Sequence, residues 1–268
     1  MPTSTNLRSG RPYGLKAMVA RTGPLYRWAR RLRALSRYLA RRPHDPDFRA
    51  FGGLEGEGLF LDIGASIGQS ALSFRIFNRD SPILSLEPLP AHRDDLRFVR
   101  RVLRGHRFMI AGAAAESRRA TLYVPMLGSY ELPAESSLSE ADARAVLERL
   151  AAEGANRDEL RLEKVEVDLR RVDELGLEPA FVKIDVEGAE LGVLAGLRET
   201  IERCQPVLMI ERSERIPKVI QLLGEEGYGA FVYDRDADDF EPYREQSTVN
   251  VFFLPRAGAS LRGERDRR

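Results

Sequence analysis

The chain has 268 residues, 43% of them hydrophobic, which suits one medium-sized folded domain with appendages and excludes a chain that is disordered throughout. A single cysteine, Cys204, excludes an internal disulfide, and the three histidines lack zinc-ligand spacing, so we expect no metal. The net charge is +1, but the charges are distributed unevenly. Residues 1–50 contain 12 Lys and Arg and 2 Asp and Glu, whereas the remaining residues contain 30 Lys and Arg and 39 Asp and Glu. The sequence therefore predicts a basic arm on an acidic body.

The basic arm is predicted to contain one amphipathic helix. After a loose lead-in over residues 1–23, the segment 24–43 is bounded by two prolines, which suit the start and the end of a helix. Its large apolar residues recur at helical spacing and form one stripe: Leu25, Trp28, Leu32, Leu35 and Leu39. We expect the stripe either to dock on the body or to form, with the arginines, a surface that meets anionic lipid, nucleic acid or an acidic substrate.

The sequence shows no secretory signal and no apolar stretch near the roughly 20 residues of a membrane span. A cytoplasmic location is the expectation that follows.

From residue 58 the chain alternates strand and helix patterns. Strands are predicted over 58–64, 81–88, 106–114, 121–126, 180–188, 206–213, 228–234 and 248–255. Helices are predicted up to Phe77, over 91–103, up to Cys204 and over 216–227. This alternation predicts an α/β fold with a mostly parallel sheet, helices on both faces and an antiparallel strand at the edge. Residues 128–160 break the rhythm and are interpreted as an insertion with a helix over about 139–152, and residues 257–268 as a basic flexible tail.

A glycine-containing turn follows the first strand in FLDIGASIGQSAL (60–72). The strand ends at Asp62, and Gly64 and Gly68 let the backbone bend sharply while a ligand approaches closely. The spacing D-x-G-x-x-x-G differs from the dinucleotide fingerprint, and no Walker lysine is present. The acidic residue suits a ligand with an ammonium group, as methionine has, better than a pyrophosphate.

Three further carboxylates lie at predicted strand ends. Glu87 ends the second strand in ILSLEP, where it can accept hydrogen bonds from ribose hydroxyls. In FVKIDVEGAE (181–190), Lys183 and Asp185 lie on the same side of a buried strand, so we expect them to pair. Glu211 ends the next strand in VLMIERS and is expected at the same sheet edge. Asp185 and Glu211 are therefore candidates for a base and an orienting group.

These motifs, in the order DIGASIG, LEP, KIDVEGAE and PVLMIE, resemble the FkbM family of S-adenosylmethionine-dependent methyltransferases over roughly residues 55–255. The resemblance implies a Rossmann-like class I fold with a seven-stranded sheet. It also implies O-methylation of a hydroxyl on a sugar, glycolipid or natural product.

Carried over by position, the resemblance implies a set of cofactor-binding residues. The methionine part of S-adenosyl-L-methionine would be surrounded by Asp62, Gly64, Ala65, Ser66 and Gly68, and Asp185 would also border the cofactor. Glu87 would hold the ribose, and Ala113, within Ala111 to Ala114, would border the adenine through its backbone. Catalysis would fall to Asp185, Glu211 and Lys183, and acceptor binding to Glu187 and Arg212.

Two other classes of function are open at this point: another nucleotide-binding Rossmann enzyme, such as a dehydrogenase, and a non-catalytic binding module. The acidic body disfavours nucleic acid as a partner. We expect a methyltransferase domain over residues 51–256 and a small-molecule or glycan acceptor contacted by the insertion or the arm (residues 1–50). The sequence leaves the oligomeric state open.

Overall fold

The computed structural model describes residues 23–54, 56, 58–128, 130–132 and 135–256, so the predicted tail at 257–268 and nearly all of the lead-in lie outside the described residues. The α-helices are α1 (Gly23–Leu39), α2 (Gln69–Phe77), α3 (Arg93–Val102), α4 (Glu140–Ala152), α5 (Glu190–Ala195), α6 (Arg198–Cys204) and α7 (Ile216–Glu225). Short 3-10 helices cover Pro46–Gly52, Pro90–His92, Arg157–Glu159 and Val172–Leu175.

The strands are β1 (Leu59–Ile63), β2 (Ile83–Leu86), β3 (His106–Met109), β4 (Gly112–Ala113), β5 (Arg118–Leu127), β6 (Tyr130–Glu131), β7 (Leu160–Arg170), β8 (Pro179–Ile184), β9 (Val207–Glu211), β10 (Tyr228–Asp234), β11 (Asp239–Pro242) and β12 (Asn250–Pro255). The described residues divide into two compact units. The larger comprises residues 31–121 and 166–256, and the smaller comprises residues 23–30 and 122–165.

The main sheet has the order β11-β10-β12-β9-β8-β1-β2-β3. The strands from β9 to β3 in this order are parallel, which confirms the predicted α/β class. The expected number of seven strands is wrong: the described residues form eight, because the short charged segment at β11 adds an edge strand that its composition does not reveal. The expected antiparallel edge strand is β11, which pairs with β10, and β12 is antiparallel to both of its neighbours, β9 and β10.

A second, four-stranded sheet with the order β4-β7-β5-β6 was not predicted. The segment expected to form one strand over 106–114 divides into β3, which belongs to the main sheet, and β4, which pairs with β7 at Leu169 and Arg170.

Strand alternation distributes the core of the larger unit between the two faces of the main sheet. Leu61, Val182 and Leu208 belong to the cluster that contains the buried residues of α5, α6 and α7. Phe60 and Phe181 precede Leu61 and Val182 in their strands and belong to a second cluster. This cluster also contains buried hydrophobic residues of α2 and of the 3-10 helix Pro46–Gly52. Helices therefore cover both faces, as predicted.

The second cluster is centred on stacked aromatic rings. Phe60 and Phe74 stack with centroids 4.0 Å apart. Phe51, from the 3-10 helix, packs edge-on against Phe74 at 5.2 Å and Phe181 at 5.6 Å. The expected boundary between arm and domain near residue 50 thus falls within a helix whose Phe48 and Phe51 are buried in this core. The domain division itself stays a prediction.

Helix α1 covers most of the segment expected to be helical, and of the two expected roles of its stripe the exposure of three residues favours a free surface over docking on the body. Trp28, Leu32 and Leu39 are 55%, 59% and 70% exposed. Ala34 and Tyr38 pack against the second cluster instead. Trp28, Leu32 and Leu39 therefore lie on the solvent side of the helix, whereas Leu35 is half-buried.

In the smaller unit, α4 begins at the N-cap Ser139, whose side chain accepts a hydrogen bond from the Asp142 amide. Arg144 and Lys164 both form ion pairs with Glu140 on the surface of α4.

No helix among the described residues is both long enough and apolar enough to cross a membrane.

Candidate active site

The predicted site residues follow one another along the carboxyl edge of the parallel strands. Asp62 lies in β1, Glu87 directly follows β2, and Asp185 directly follows β8. Glu211 ends β9, the neighbour of β8. Because parallel strands all end at the same edge, the topology brings these four carboxylates to one region of the sheet, where ligands bind in open α/β folds.

The turn after β1 is tightly packed against β2 and β8. The amides of Gly64 and Ala65 both donate to the Leu86 carbonyl, at 3.0 and 3.1 Å. Gly64 has φ +82°, and a Cβ at this position would lie 1.9 Å from the Asp185 carbonyl oxygen. Gly68, also at φ +82°, is the N-cap of α2. The glycines are therefore required both by the left-handed backbone and by close approach.

Glu87 links this turn to the end of β2. Its Oε2 accepts a hydrogen bond from the Ser66 amide at 2.7 Å, and its Oε1 accepts one from the Leu89 amide at 2.9 Å. The Nδ1 of His92 lies 3.3 Å from Oε1. A carboxylate offers about four acceptor positions, so both oxygens can still accept ribose hydroxyls.

Asp62 is fully buried between polar neighbours. It is paired in register with Ser85 on β2 and Lys183 on β8. Its Oδ2 accepts a hydrogen bond from Ser85 Oγ at 3.1 Å, which in turn lies 3.0 Å from His106 Nε2. Its Oδ1 has no hydrogen-bond partner among the described residues. Burial raises the pKa of Asp62 to about 6, although the charge of Lys183 opposes this shift.

Lys183 and Asp185 form the pair that strand alternation predicts. Lys183 Nζ lies 2.6 Å from Asp185 Oδ2, with the lysine side chain 2% exposed and the aspartate 33%. Burial lowers the pKa of Lys183, but the negative charges of Asp185 and Asp62 outweigh burial and raise it above its ordinary value. Lys183 is therefore a fixed cation beneath the site, and it holds Asp185 in one orientation.

Three carboxylates converge beyond this pair. Asp185, Glu187 and Glu211 each offer an oxygen, and these oxygens lie within 4.8 Å of one another. Such a set suits a divalent cation with oxygen ligands such as Mg²⁺, or a hydroxyl group that donates its proton. The expected absence of a metal stays a prediction. Arg212 is exposed, and its amide donates to the Val249 carbonyl.

The backbone of the predicted adenine border belongs to the second sheet. Ala113 pairs with Arg170 in β7, and the amide of Ala114 donates to the carbonyl of the same arginine at 2.9 Å. Ala111 and Ala113 are buried.

The sequence analysis did not identify several polar residues near the site. Ser85 could have been identified, because it carries the one hydroxyl group in the apolar strand ILSL. Glu190 is 3% exposed, and its Oε1 accepts a hydrogen bond from the Gly188 amide. His44 lies 2.8 Å from Ser73 Oγ, and burial together with the charge of Lys183 lowers its pKa to about 4. Nothing in the local sequence around His44 indicates this proximity.

Comparison with known proteins decides the family. A model described as the methyltransferase FkbM domain matches residues 62–229, which is more than half of the chain and includes the turn, Glu87, Asp185 and Glu211. The chain belongs to the FkbM methyltransferase family. No curated protein gives a match.

Solved structures of three methyltransferases give matches to this FkbM domain. The methyltransferase FkbM from Methylobacillus flagellatus is 17% identical (TM-score 0.47), and 76% of this chain matches 48% of that one. The TehB-like SAM-dependent methyltransferase from Corynebacterium glutamicum is 12% identical (TM-score 0.41; 85% and 96% covered). The precorrin-6y C5,15-methyltransferase from Geobacter metallireducens is 16% identical (TM-score 0.38; 77% and 82%). The chain thus spans about half the length of the Methylobacillus protein.

Family membership confirms S-adenosylmethionine as the cofactor, and the residues of the site fit it. The buried Asp62 Oδ1, which has no partner among the described residues, is suited to a cation such as the ammonium of the methionine part. Glu87 has remaining acceptor positions for the ribose. The roles assigned to individual residues stay predictions.

Proposed function

We propose that this FkbM domain transfers a methyl group from S-adenosylmethionine to a hydroxyl oxygen of a small-molecule or glycan acceptor, such as a sugar, a glycolipid or a natural product. The observation that supports oxygen as the acceptor is the convergence of Asp185, Glu187 and Glu211 within 4.8 Å at the carboxyl edge of the sheet. A hydroxyl oxygen needs a base as it attacks, and the clustered carboxylates supply candidates for that base.

S-adenosylmethionine supplies an electrophilic methyl group on a sulfonium, and the protein has to align the acceptor oxygen with it. We assign the proton to Asp185, which directly follows β8, or to Glu211, which ends β9. Lys183 fixes the orientation of Asp185 through the 2.6 Å contact with Oδ2. Glu187 and Arg212 flank these residues in sequence and are assigned to the acceptor.

The test is a methyl-transfer assay with labelled cofactor against a panel of glycans and natural products. In Asp185→Asn and Glu211→Gln, turnover should fall by about a hundredfold or more for the residue that acts as base. The affinity for S-adenosylhomocysteine, measured by calorimetry, should change little because the amide keeps the shape of the side chain. Normal turnover in both amide variants would contradict the assignment.

Glu202→Gln is the matched control, because Glu202 is an exposed carboxylate on α6. It should leave turnover unchanged. A loss of activity with a chelator that Mg²⁺ restores would show that the three carboxylates hold a cation instead of taking the proton. The cytoplasmic location and the role of the insertion at 128–160 in acceptor binding also remain proposals.

A further inference from the structure

The outer face of α1 combines exposed apolar side chains with a high density of positive charge. Trp28, Leu32 and Leu39 are spaced by four and seven residues, so they lie along one side of the helix. More than half of each residue's surface is exposed, at 55%, 59% and 70%. These three residues are called the apolar stripe below.

The charge around the stripe has a single sign. Residues 23–42 contain seven arginines and no aspartate or glutamate. Arg33 in α1 is exposed, as are Arg41 and Arg42 just after the helix, although Arg41 Nη2 also donates to the Ile76 carbonyl at 3.3 Å. Arg31 is turned toward the domain and lies 2.6 Å from Asp95 on α3. The helix is thus held on the domain by one side, while the apolar stripe and Arg33 are exposed to solvent.

We propose that α1 docks the protein on an anionic phospholipid bilayer, with the apolar stripe in the interface and the arginines on lipid phosphates. Interfacial helices have this arrangement, with aromatic and aliphatic residues on one face and basic residues beside them. The proposal does not depend on which acceptor is methylated.

Two other occupants fit the face less well. A second copy of the chain, related by a twofold axis, would bring the same patch against itself, so arginines would face arginines. A nucleic acid would satisfy the arginines but would offer little apolar surface to the two leucines. An anionic bilayer satisfies both features at once.

The protein contains its own reporter, because Trp28 is the only tryptophan in the sequence. The full chain is mixed with phosphatidylcholine vesicles that contain or lack phosphatidylglycerol. We expect the Trp28 emission to shift to shorter wavelength with the anionic vesicles and much less with the neutral ones. Added salt should weaken this response, since it screens the arginines.

The double variant Leu32→Glu, Leu39→Glu removes the apolar contacts and adds negative charge, while Trp28 is retained. Partitioning onto anionic vesicles, measured by sedimentation, should fall by at least about tenfold. Val249→Glu is the matched control, because Val249 is also apolar and 52% exposed, and it should bind like the wild type. Should the double variant unfold, Arg33→Gln with Arg42→Gln tests the charge alone, and we expect weaker binding.

The proposal is overturned if the wild type does not bind anionic vesicles, or if the folded double variant binds as the wild type does. If the Trp28 emission wavelength changes with protein concentration in the absence of lipid, the outer face of α1 binds a second copy of the chain. If the emission wavelength changes with duplex nucleic acid but not with vesicles, the outer face of α1 binds nucleic acid.

Discussion

Asp62 combines complete burial with a pKa raised to about 6, and we predict that this residue makes cofactor binding dependent on pH. If Asp62 receives the ammonium of the methionine part, binding favours the ionised carboxylate. Below about pH 6 the aspartic acid must first release its proton, so the affinity for S-adenosylhomocysteine should fall about tenfold per pH unit. Above that pH, Asp62 is ionised in the free protein and the affinity should level off.

Calorimetric titrations across this range measure the effect, with Asp62→Asn as the variant. The amide cannot ionise, so its affinity should be lower and flat with pH. The pKa values of His44 and His106 are lowered to about 4, so their titration falls outside the window around pH 6. A wild-type affinity that does not change through pH 6, or an unchanged slope in the variant, would contradict the role of Asp62.

At the scale of residues, the sequence predicts which edge of the sheet carries the carboxylates but not how each is held. Asp62, Glu87, Asp185 and Glu211 could be placed because each lies at the end of a strand, and parallel strands share an edge. The hydrogen bond from the Ser66 amide to Glu87 could not be predicted, because it depends on the path of the backbone in a turn. The contact of His44 with Ser73 could not be predicted either, because the two residues are 29 positions apart in the sequence and belong to different segments of the fold.

At the scale of elements, the turn between β1 and α2 is restricted by the neighbouring strand β8. In Gly64→Ala the new Cβ would lie 1.9 Å from the Asp185 carbonyl, so the backbone has to move. We expect a loss of stability well above the roughly 1–2 kcal/mol of a left-handed alanine, together with weaker cofactor binding. Denaturant unfolding and calorimetry with S-adenosylhomocysteine measure the two effects.

Gly227→Ala is the control for the backbone conformation. Gly227 has φ +87°, close to the +82° of Gly64, but a Cβ added there would meet no atom within 4 Å beyond its chain neighbours, so only the conformational cost applies. Similar losses of stability in the two variants would show that close approach at Gly64 contributes nothing.

The elements that sequence patterns predicted well are those with strong periodicity. Helix α4 begins at Glu140, one residue from its expected start, because Ser139 provides a side-chain cap. The exposure of the α1 stripe could not be predicted, since helical spacing shows that a face exists but not whether another element covers it. Strand β11 was missed because its four residues, DFEP, include two acids and a proline, which are uncommon in strands.

At the scale of the whole molecule, the main sheet is stabilised by a segment that precedes it in the chain. Phe51, 1% exposed, packs against Phe60, Phe74 and Phe181. The same 3-10 helix carries Asp47, which is bound to Arg235 at 2.7 Å and accepts a hydrogen bond from Asn250. Residues 45–52 therefore connect α2, β1, β8 and β12, although charge alone assigns them to the basic arm.

This packing predicts that Phe51→Ala lowers the free energy of unfolding by about 3–5 kcal/mol, because the truncation leaves a cavity among rigid rings. Leu39→Ala, at a residue that is 70% exposed, should change it by no more than about 0.5 kcal/mol. Urea titrations of both variants measure the difference. Comparable stability of the two variants would show that the segment is peripheral. A large difference places the start of the folded methyltransferase domain before residue 46, so a truncation intended to remove only the basic helix has to end upstream of Asp45, whose side chain caps the 3-10 helix.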